Sequence, residues 1–80
     1  MMEIKVLGTG CPKCKQLEHH TREALAAMGL EATVEKVDDI MDIMAYGIAR
    51  TPGLVVDGKV VMNGRVPSVQ EIMQLLKPQA

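Results

Sequence analysis

The chain has 80 residues, of which 48% are hydrophobic, and a formal net charge of −1. A chain of this size makes one small domain, spanning residues 1–80. Its lysine and arginine residues are scattered, which argues against a surface for nucleic acid or anionic membrane. The N-terminal segment lacks the basic start of a secretory signal, and no segment approaches membrane-spanning length. We therefore expect a cytoplasmic monomer that binds neither nucleic acid nor membrane.

The first half of the chain predicts a strand, a helix and a second strand. Residues 3–7 form a short β-branched run bounded by Gly8, which is typical of a strand. Pro12 suits the first turn of a helix, and Gly29 favours its termination. Between them, one apolar stripe at helical spacing comprises Cys14, Leu17, Thr21, Ala24, Leu25 and Met28. Residues 31–37 then alternate with period two, as a strand does.

A short helix and a hairpin are predicted next. Asp38 or Asp39 can cap a second helix that runs to about Tyr46, although its apolar residues occupy too many faces to orient it. Within residues 54–63, two apolar runs flank the dipeptide Asp57-Gly58. This dipeptide favours a tight two-residue turn, so the two runs predict an antiparallel hairpin.

The last predicted element is a helix over residues 68–77. Ser68 and Glu71 have the spacing of a capping box, and Pro78 lies beyond the end of the helix. One face of it carries Val69, Ile72, Met73 and Leu76. The element order is therefore βαβαββα. Strands joined through a helix are expected to be parallel, so the order predicts an α/β fold with a four-stranded mixed sheet packed with three helices.

The two cysteines, Cys11 and Cys14, lie at the predicted start of the first helix. In a reducing compartment, such a close pair is more often catalytic or metal-binding than structural. Unpaired N–H groups at a helix start stabilise a thiolate at Cys11, and Lys13 adds a positive charge nearby. Pro12 keeps the turn rigid, and Gly8 and Gly10 let the loop approach another backbone closely. Thiol–disulfide exchange needs one accessible thiolate and a second thiol in reserve, and this pattern predicts both.

Two alternatives to a redox dithiol stay open. The cysteines can be ordinary core thiols, or they can bind a soft metal such as Cu(I), Zn or arsenite as a metal carrier does. Small metallochaperones also place this motif after their first strand, but they end in a strand, whereas this chain ends in a predicted helix. His19 and His20 lie on other faces of the first helix than Cys14, so they do not complete a zinc site and are predicted to be solvated. We expect no bound metal and no cofactor.

The motif and its surroundings resemble the thioredoxin superfamily. The Cys-x-x-Cys opens the helix after the first strand, Thr51-Pro52 precedes the third strand, and a hairpin and a final helix follow. The segments TGCPKC and TPGLVVDGKVVMNGRVPSVQEI are similar to the small glutaredoxin-like thioredoxins, also called the redox-active disulfide protein 2 family. The resemblance covers nearly the whole chain and implies a thioredoxin-like fold.

The resemblance also implies a function and a role for each site residue. It implies a thiol–disulfide oxidoreductase in which Cys11 attacks a protein disulfide and Cys14 resolves the mixed disulfide. Pro52 resembles the cis-proline of the family, which with Thr51 contacts the backbone of the substrate. The implied partners are proteins that contain disulfides and an external electron donor such as a thioredoxin reductase.

Overall fold

The computed structural model describes residues 2–77 and confirms the predicted order of elements. In chain order they are β1 (Met2–Leu7), α1 (Pro12–Met28), β2 (Ala32–Val37), α2 (Ile40–Ala45), β3 (Gly53–Val56), β4 (Lys59–Asn63) and α3 (Val69–Leu76). The strands form one mixed sheet in the order β2-β1-β3-β4. Strand β1 runs parallel to β2 and antiparallel to β3, and β4 runs antiparallel to β3. The predicted α/β fold is therefore confirmed.

The sheet has a core on each face, because successive residues of β1 point to opposite sides. Ile4 and Val6 face the larger cluster, which also contains buried apolar side chains of α1 and α3 such as Leu17 and Ile72. Leu7 faces the smaller cluster, where it packs with Val55 and with Ile43 of α2. Helices α1 and α3 thus cover one face of the sheet, and α2 covers the other.

Helix α1 begins and ends where the sequence predicts. Cys11 is its N-cap and Pro12 is its first residue. Gly29 ends it in the left-handed region with a φ of 65°, which glycine adopts without steric cost. Within its buried stripe, the Thr21 hydroxyl donates to the Leu17 carbonyl at 2.8 Å. The stripe therefore packs on the sheet without leaving this polar group unpaired.

The packing of α2 settles the orientation that its sequence left open. Asp39 is the N-cap, and its carboxylate accepts a hydrogen bond from the Met41 N–H at 2.8 Å. Ile43 is buried against the sheet, whereas Ile40, Met41 and Met44 are exposed. All four side chains are apolar, so only the contact with the sheet selects the buried one.

The hairpin between β3 and β4 has the predicted turn. Asp57 and Gly58 both have positive φ, at 50° and 82°, as the turn that matches the twist of the strands requires. The Asp57 N–H also donates to the Glu3 carbonyl at 2.7 Å, and the Asp57 Oδ1 accepts from the Glu3 N–H at 2.9 Å. The turn is therefore fastened to the beginning of β1.

Helix α3 begins at the predicted cap. The Ser68 Oγ accepts a hydrogen bond from the Glu71 N–H at 3.1 Å. The Glu71 carboxylate pairs with the Arg65 guanidinium, which lowers the pKa of that carboxyl. Pro78, predicted to lie beyond the helix, falls outside the described residues.

Candidate active site

The loop that follows β1 (residues 8–11, the motif loop) lies at the same end of the sheet as the start of β3. The last antiparallel pair between these two strands joins Leu7 to Gly53. One residue beyond that pair, Gly8 opens the motif loop and Pro52 precedes β3. The register of the sheet thus brings together two segments that are about forty residues apart in the sequence.

The segment before β3 carries the predicted cis-proline. The Thr51-Pro52 peptide bond is cis, which confirms that implication of the family resemblance. Pro52 is buried, and its carbonyl accepts a hydrogen bond from the Gly64 N–H at 2.9 Å. Thr51 is exposed. In this segment, Thr51 is therefore accessible from solvent, whereas Pro52 is held within the fold.

Cys11 is half-buried and lies at the N-terminus of α1 as its N-cap. Its sulfur accepts a hydrogen bond from the Cys14 N–H at 3.3 Å. The pKa of Cys11 is lowered, chiefly by a hydrogen bond from the Cys14 thiol and then by the backbone N–H groups of Cys14 and Lys13. Cys11 is therefore the cysteine that ionises more readily, as its position at the helix start predicted.

Cys14 is more buried and less acidic than Cys11, although it lies only one helical turn away. Its exposed fraction is 5%, and it begins the buried stripe of α1. Burial raises the pKa of the Cys14 thiol, and the hydrogen bond to Cys11 raises it further. At neutral pH the pair therefore holds one accessible, more acidic thiol and one buried thiol that keeps its proton.

The three residues predicted to support the cysteines differ in what they contribute. Pro12 is exposed in the first turn of α1. Lys13 is exposed too, and its backbone N–H is one of the groups that lower the pKa of Cys11. Gly10 has a φ of 86° and open space where a Cβ would stand. Glycine is therefore needed here for the backbone conformation of the turn, and not because another backbone approaches closely.

A cleft of about 140 Å³ lies beside Cys14 on the α1 side of the sheet. Its charged lining consists of Lys15, Glu18, Lys36 and Asp38. The Glu18 carboxylate lies 3.2 Å from the Lys36 Nζ and also accepts hydrogen bonds from Arg22. Burial opposes ionisation of Glu18, but these two partners outweigh it, and the pKa of this carboxyl is lowered. The sequence alone does not reveal this pair, because Glu18 and Lys36 lie on different elements.

A larger cavity of about 340 Å³ lies on the α2 face of the sheet, away from the cysteines. Its lining is made by Lys5, Val37, Asp42, Ala45 and Tyr46. A hydrogen bond with Tyr46 raises the pKa of Lys5. Tyr46, the only aromatic residue of the chain, packs against the smaller core cluster, as the sequence predicts for it.

The two histidines of α1 have different surroundings. His19 is exposed, and its Nε2 lies 2.6 Å from a carboxylate oxygen of Glu23, as expected for a surface side chain. The prediction for His20 was wrong, because this side chain is half-buried and its Nδ1 lies 2.9 Å from the Pro67 carbonyl oxygen. Across residues 2–77, no cluster of three or more histidine, cysteine or acidic side chains has the arrangement of a metal site.

Comparison with known proteins identifies the family. A family model described as "Thioredoxin domain" matches residues 2–77. The chain belongs to the thioredoxin family. A thioredoxin of Methanothermobacter thermautotrophicus is 42% identical to it over 76 residues, which cover 95% of this chain and 99% of that protein. A thioredoxin of Methanocaldococcus jannaschii is 39% identical over 77 residues, which cover 96% of this chain and 88% of that protein.

Membership of this family establishes the class of activity. Thioredoxin-family proteins exchange thiols with disulfides, so the chain is a thiol–disulfide oxidoreductase, as the Cys-x-x-Cys motif predicted. Nothing in these relatives favours the soft-metal alternative. Within residues 2–77, no helix is both long enough and apolar enough to cross a membrane.

Proposed function

We propose that this protein reduces disulfides in other proteins, with Cys11 as the attacking cysteine and Cys14 as the resolving one. The observation that carries the proposal is the opposite shift of the two thiols: the pKa of Cys11 is lowered and the pKa of Cys14 is raised. A thiolate is the nucleophile in disulfide exchange, so the more acidic and more exposed cysteine attacks first.

The proposed reaction has two exchange steps. In the first, the Cys11 thiolate attacks one sulfur of the client disulfide, the client S–S bond breaks, and the second client sulfur leaves as a thiolate. In the second, Cys14 loses its proton and attacks the Cys11 sulfur, which releases the first client sulfur. Both client thiolates take up protons, and two electrons have passed from the Cys11–Cys14 pair to the client. The protein is left with an intramolecular disulfide.

The proposed client site includes the segment before β3. Thr51 is exposed beside the buried Pro52, at the end of the sheet where the motif loop begins. An extended client segment can pair with exposed backbone here in the manner of strand addition, which brings its disulfide to Cys11. The family resemblance supports this role for Thr51 and Pro52.

The cycle needs a partner that returns two electrons to the Cys11–Cys14 disulfide. We propose that an external donor such as a thioredoxin reductase supplies them, since the family of this protein is reduced in that way. A dithiol that must be regenerated works best where the surroundings are reducing, so we propose that the protein acts in the cytoplasm, as a monomer.

A turnover assay tests the proposal. The wild-type protein is mixed with a disulfide-bonded protein such as insulin and an excess of dithiothreitol, and the rate of insulin reduction is compared with that of dithiothreitol alone. Wild type should accelerate the reaction, whereas Cys11→Ser should add nothing to the background. Cys14→Ser should turn over more slowly than wild type, because only the added dithiothreitol can then release the client from Cys11.

The exposed His19 offers a matched control on the same helix. His19→Ala should keep the wild-type rate, because its side chain is exposed and its ion-pair partner, Glu23, is exposed as well. If Cys11→Ser accelerated insulin reduction as well as wild type does, the assigned role of Cys11 would be wrong.

A further inference from the structure

Gly8, the first residue of the motif loop, is buried at the end of β1. Its N–H donates to the Val37 carbonyl at 2.9 Å, which extends the pairing of β1 with β2. Gly8 is absent from the glycines with positive φ in the described chain, namely Gly10, Gly29, Gly47, Gly58 and Gly64. Its backbone conformation is therefore open to any residue, and the reason for glycine must lie in the space around it.

That space is filled by the sulfur of Cys14. A Cβ built on Gly8 would stand 2.1 Å from the Cys14 Sγ and 3.0 Å from the Cys14 Cβ. The first distance is far inside van der Waals contact, so a side chain at position 8 and the sulfur in its present place exclude each other. The missing side chain of Gly8 leaves a notch that the resolving sulfur occupies.

The notch also determines what the sulfur contacts. With the sulfur in the notch, Cys14 borders the cleft that Glu18 and Lys36 line, and a hydrogen bond from its thiol lowers the pKa of Cys11. A cysteine side chain has three staggered positions about its Cα–Cβ bond, and the others direct its sulfur elsewhere. A side chain at position 8 would therefore force the sulfur out of its present place and into another of these positions.

We propose that Gly8 is a positioning residue, which holds the Cys14 sulfur where it attacks Cys11 in the second exchange step. The expected effect of Gly8 on the rate of this step rests on the proposed function. In that step Cys14 gives up its proton, a bond forms between the Cys14 and Cys11 sulfurs, and the Cys11–client bond breaks. Attack on a disulfide needs the incoming sulfur close and aligned, so a displaced sulfur slows this step far more than the first one, whose rate changes only with the fraction of Cys11 present as thiolate.

Gly8→Ala tests the proposal, because alanine fits the backbone and adds only the atom that meets the sulfur. The probe is Ellman's reagent, an aromatic disulfide that releases one coloured thiolate when Cys11 attacks and a second when Cys14 resolves the adduct. Stopped-flow absorbance separates the two phases. We expect Gly8→Ala to slow the second phase by on the order of 100-fold, the cost typical of a small misplacement of reacting groups. Equal second-phase rates in Gly8→Ala and wild type would overturn the proposal.

Gly29→Ala is the matched control for general destabilisation. It places alanine at a φ of 65° at the far end of α1, where nothing lies within 4 Å of the new Cβ. This variant should lose stability through backbone strain and keep both phases near the wild-type rates. If it slowed the second phase as much as Gly8→Ala does, the effect would come from lost stability and the proposal would be wrong.

Comparing Gly8→Ala in the presence and absence of the Cys14 sulfur shows whether its effect comes from the notch or from another change in the motif loop. The pKa of Cys11, read from the pH dependence of alkylation, should rise in Gly8→Ala because the hydrogen bond from the Cys14 thiol is displaced. In a Cys14→Ala background the same substitution should leave this pKa unchanged, since no sulfur remains to displace. An equal rise in both backgrounds would contradict the proposal.

The proposal can still be tested if Gly8→Ala does not fold, or if the wild-type protein does not reduce insulin. If Gly8→Ala does not fold, Gly8→Ala/Cys14→Ala should fold, because the 2.1 Å clash with the sulfur is gone and only the milder 3.0 Å contact with the Cβ of residue 14 remains. Failure of this double variant to fold would also overturn the inference. The alkylation test uses no client protein. A wild type that fails to reduce insulin while the alkylation results hold would therefore count against the proposed function alone.

Discussion

The Cys14 backbone N–H donates a hydrogen bond to the Cys11 sulfur at 3.3 Å, across the first turn of α1. Cys14 thus stabilises the thiolate of Cys11, through its backbone and through its thiol. The buried thiol becomes harder to ionise in return. The two cysteines therefore form one electrostatic unit in which each sets the acidity of the other.

The first prediction concerns the pKa of Cys11. Cys14→Ala should raise it, because the thiol that donates to the Cys11 sulfur is removed. Lys13→Gln should change it by less than about half a pH unit, because residue 13 acts through its backbone N–H and an exposed ammonium is screened by salt. The pH dependence of the iodoacetamide reaction rate measures both.

The Lys13 result separates two explanations of the low pKa. A large rise in Lys13→Gln that fades as salt is added would show that the side-chain charge matters after all. A small change at every salt concentration supports the backbone explanation.

The second prediction concerns Glu18, whose side chain is only 17% exposed and pairs with Arg22 and Lys36. Glu18→Gln should lower the free energy of unfolding at pH 7 by about 1 kcal/mol. Because the pKa of Glu18 is lowered in the folded protein, its contribution is complete above the unfolded pKa of about 4.3. It is lost as the pH falls through the folded pKa.

Urea unfolding at several pH values tests this linkage. The stabilities of wild type and Glu18→Gln should converge as the pH falls below about 4. Glu23→Gln is the control, because Glu23 is exposed on the same helix and its carboxylate pairs with the exposed His19. A difference between wild type and Glu18→Gln that stayed constant down to low pH would show that packing, not charge, explains it.

The third prediction contrasts the two neighbouring histidines. His20→Ala should lower the free energy of unfolding by about 1 kcal/mol, because it removes the hydrogen bond between α1 and the Pro67 carbonyl. His19→Ala should have almost no effect, since His19 is exposed. Urea unfolding of the two variants gives the comparison, and equal losses in both would contradict it.

Much of the fold follows from short stretches of sequence, because the relevant chemistry is local. Pro12 and Gly29 mark the ends of α1, and Asp57-Gly58 sets the hairpin turn, each through its own backbone preference. Cys11 and Cys14 are only three residues apart, so the helix between them fixes their different surroundings. Their opposite characters could therefore be predicted before the fold was known.

The features that sequence reasoning missed depend on contacts between distant residues. His20 meets the carbonyl of Pro67, 47 residues away, so helical spacing alone could not show that it is half-buried. Gly8 was expected to allow close approach to backbone, but it accommodates the Cys14 sulfur instead. That difference depends on how the motif loop folds back on α1, which no periodicity in the sequence reveals.

The most direct test of the central claim is to trap the mixed disulfide. Cys14→Ser is incubated with a disulfide-bonded protein in the absence of reductant, and the adduct is digested without reduction and mapped by mass spectrometry. We predict a stable disulfide between Cys11 and a client cysteine, because the resolving thiol is missing, and no such adduct in Cys11→Ser. A covalent adduct at Cys14 in Cys11→Ser, together with none at Cys11 in Cys14→Ser, would contradict the assignment.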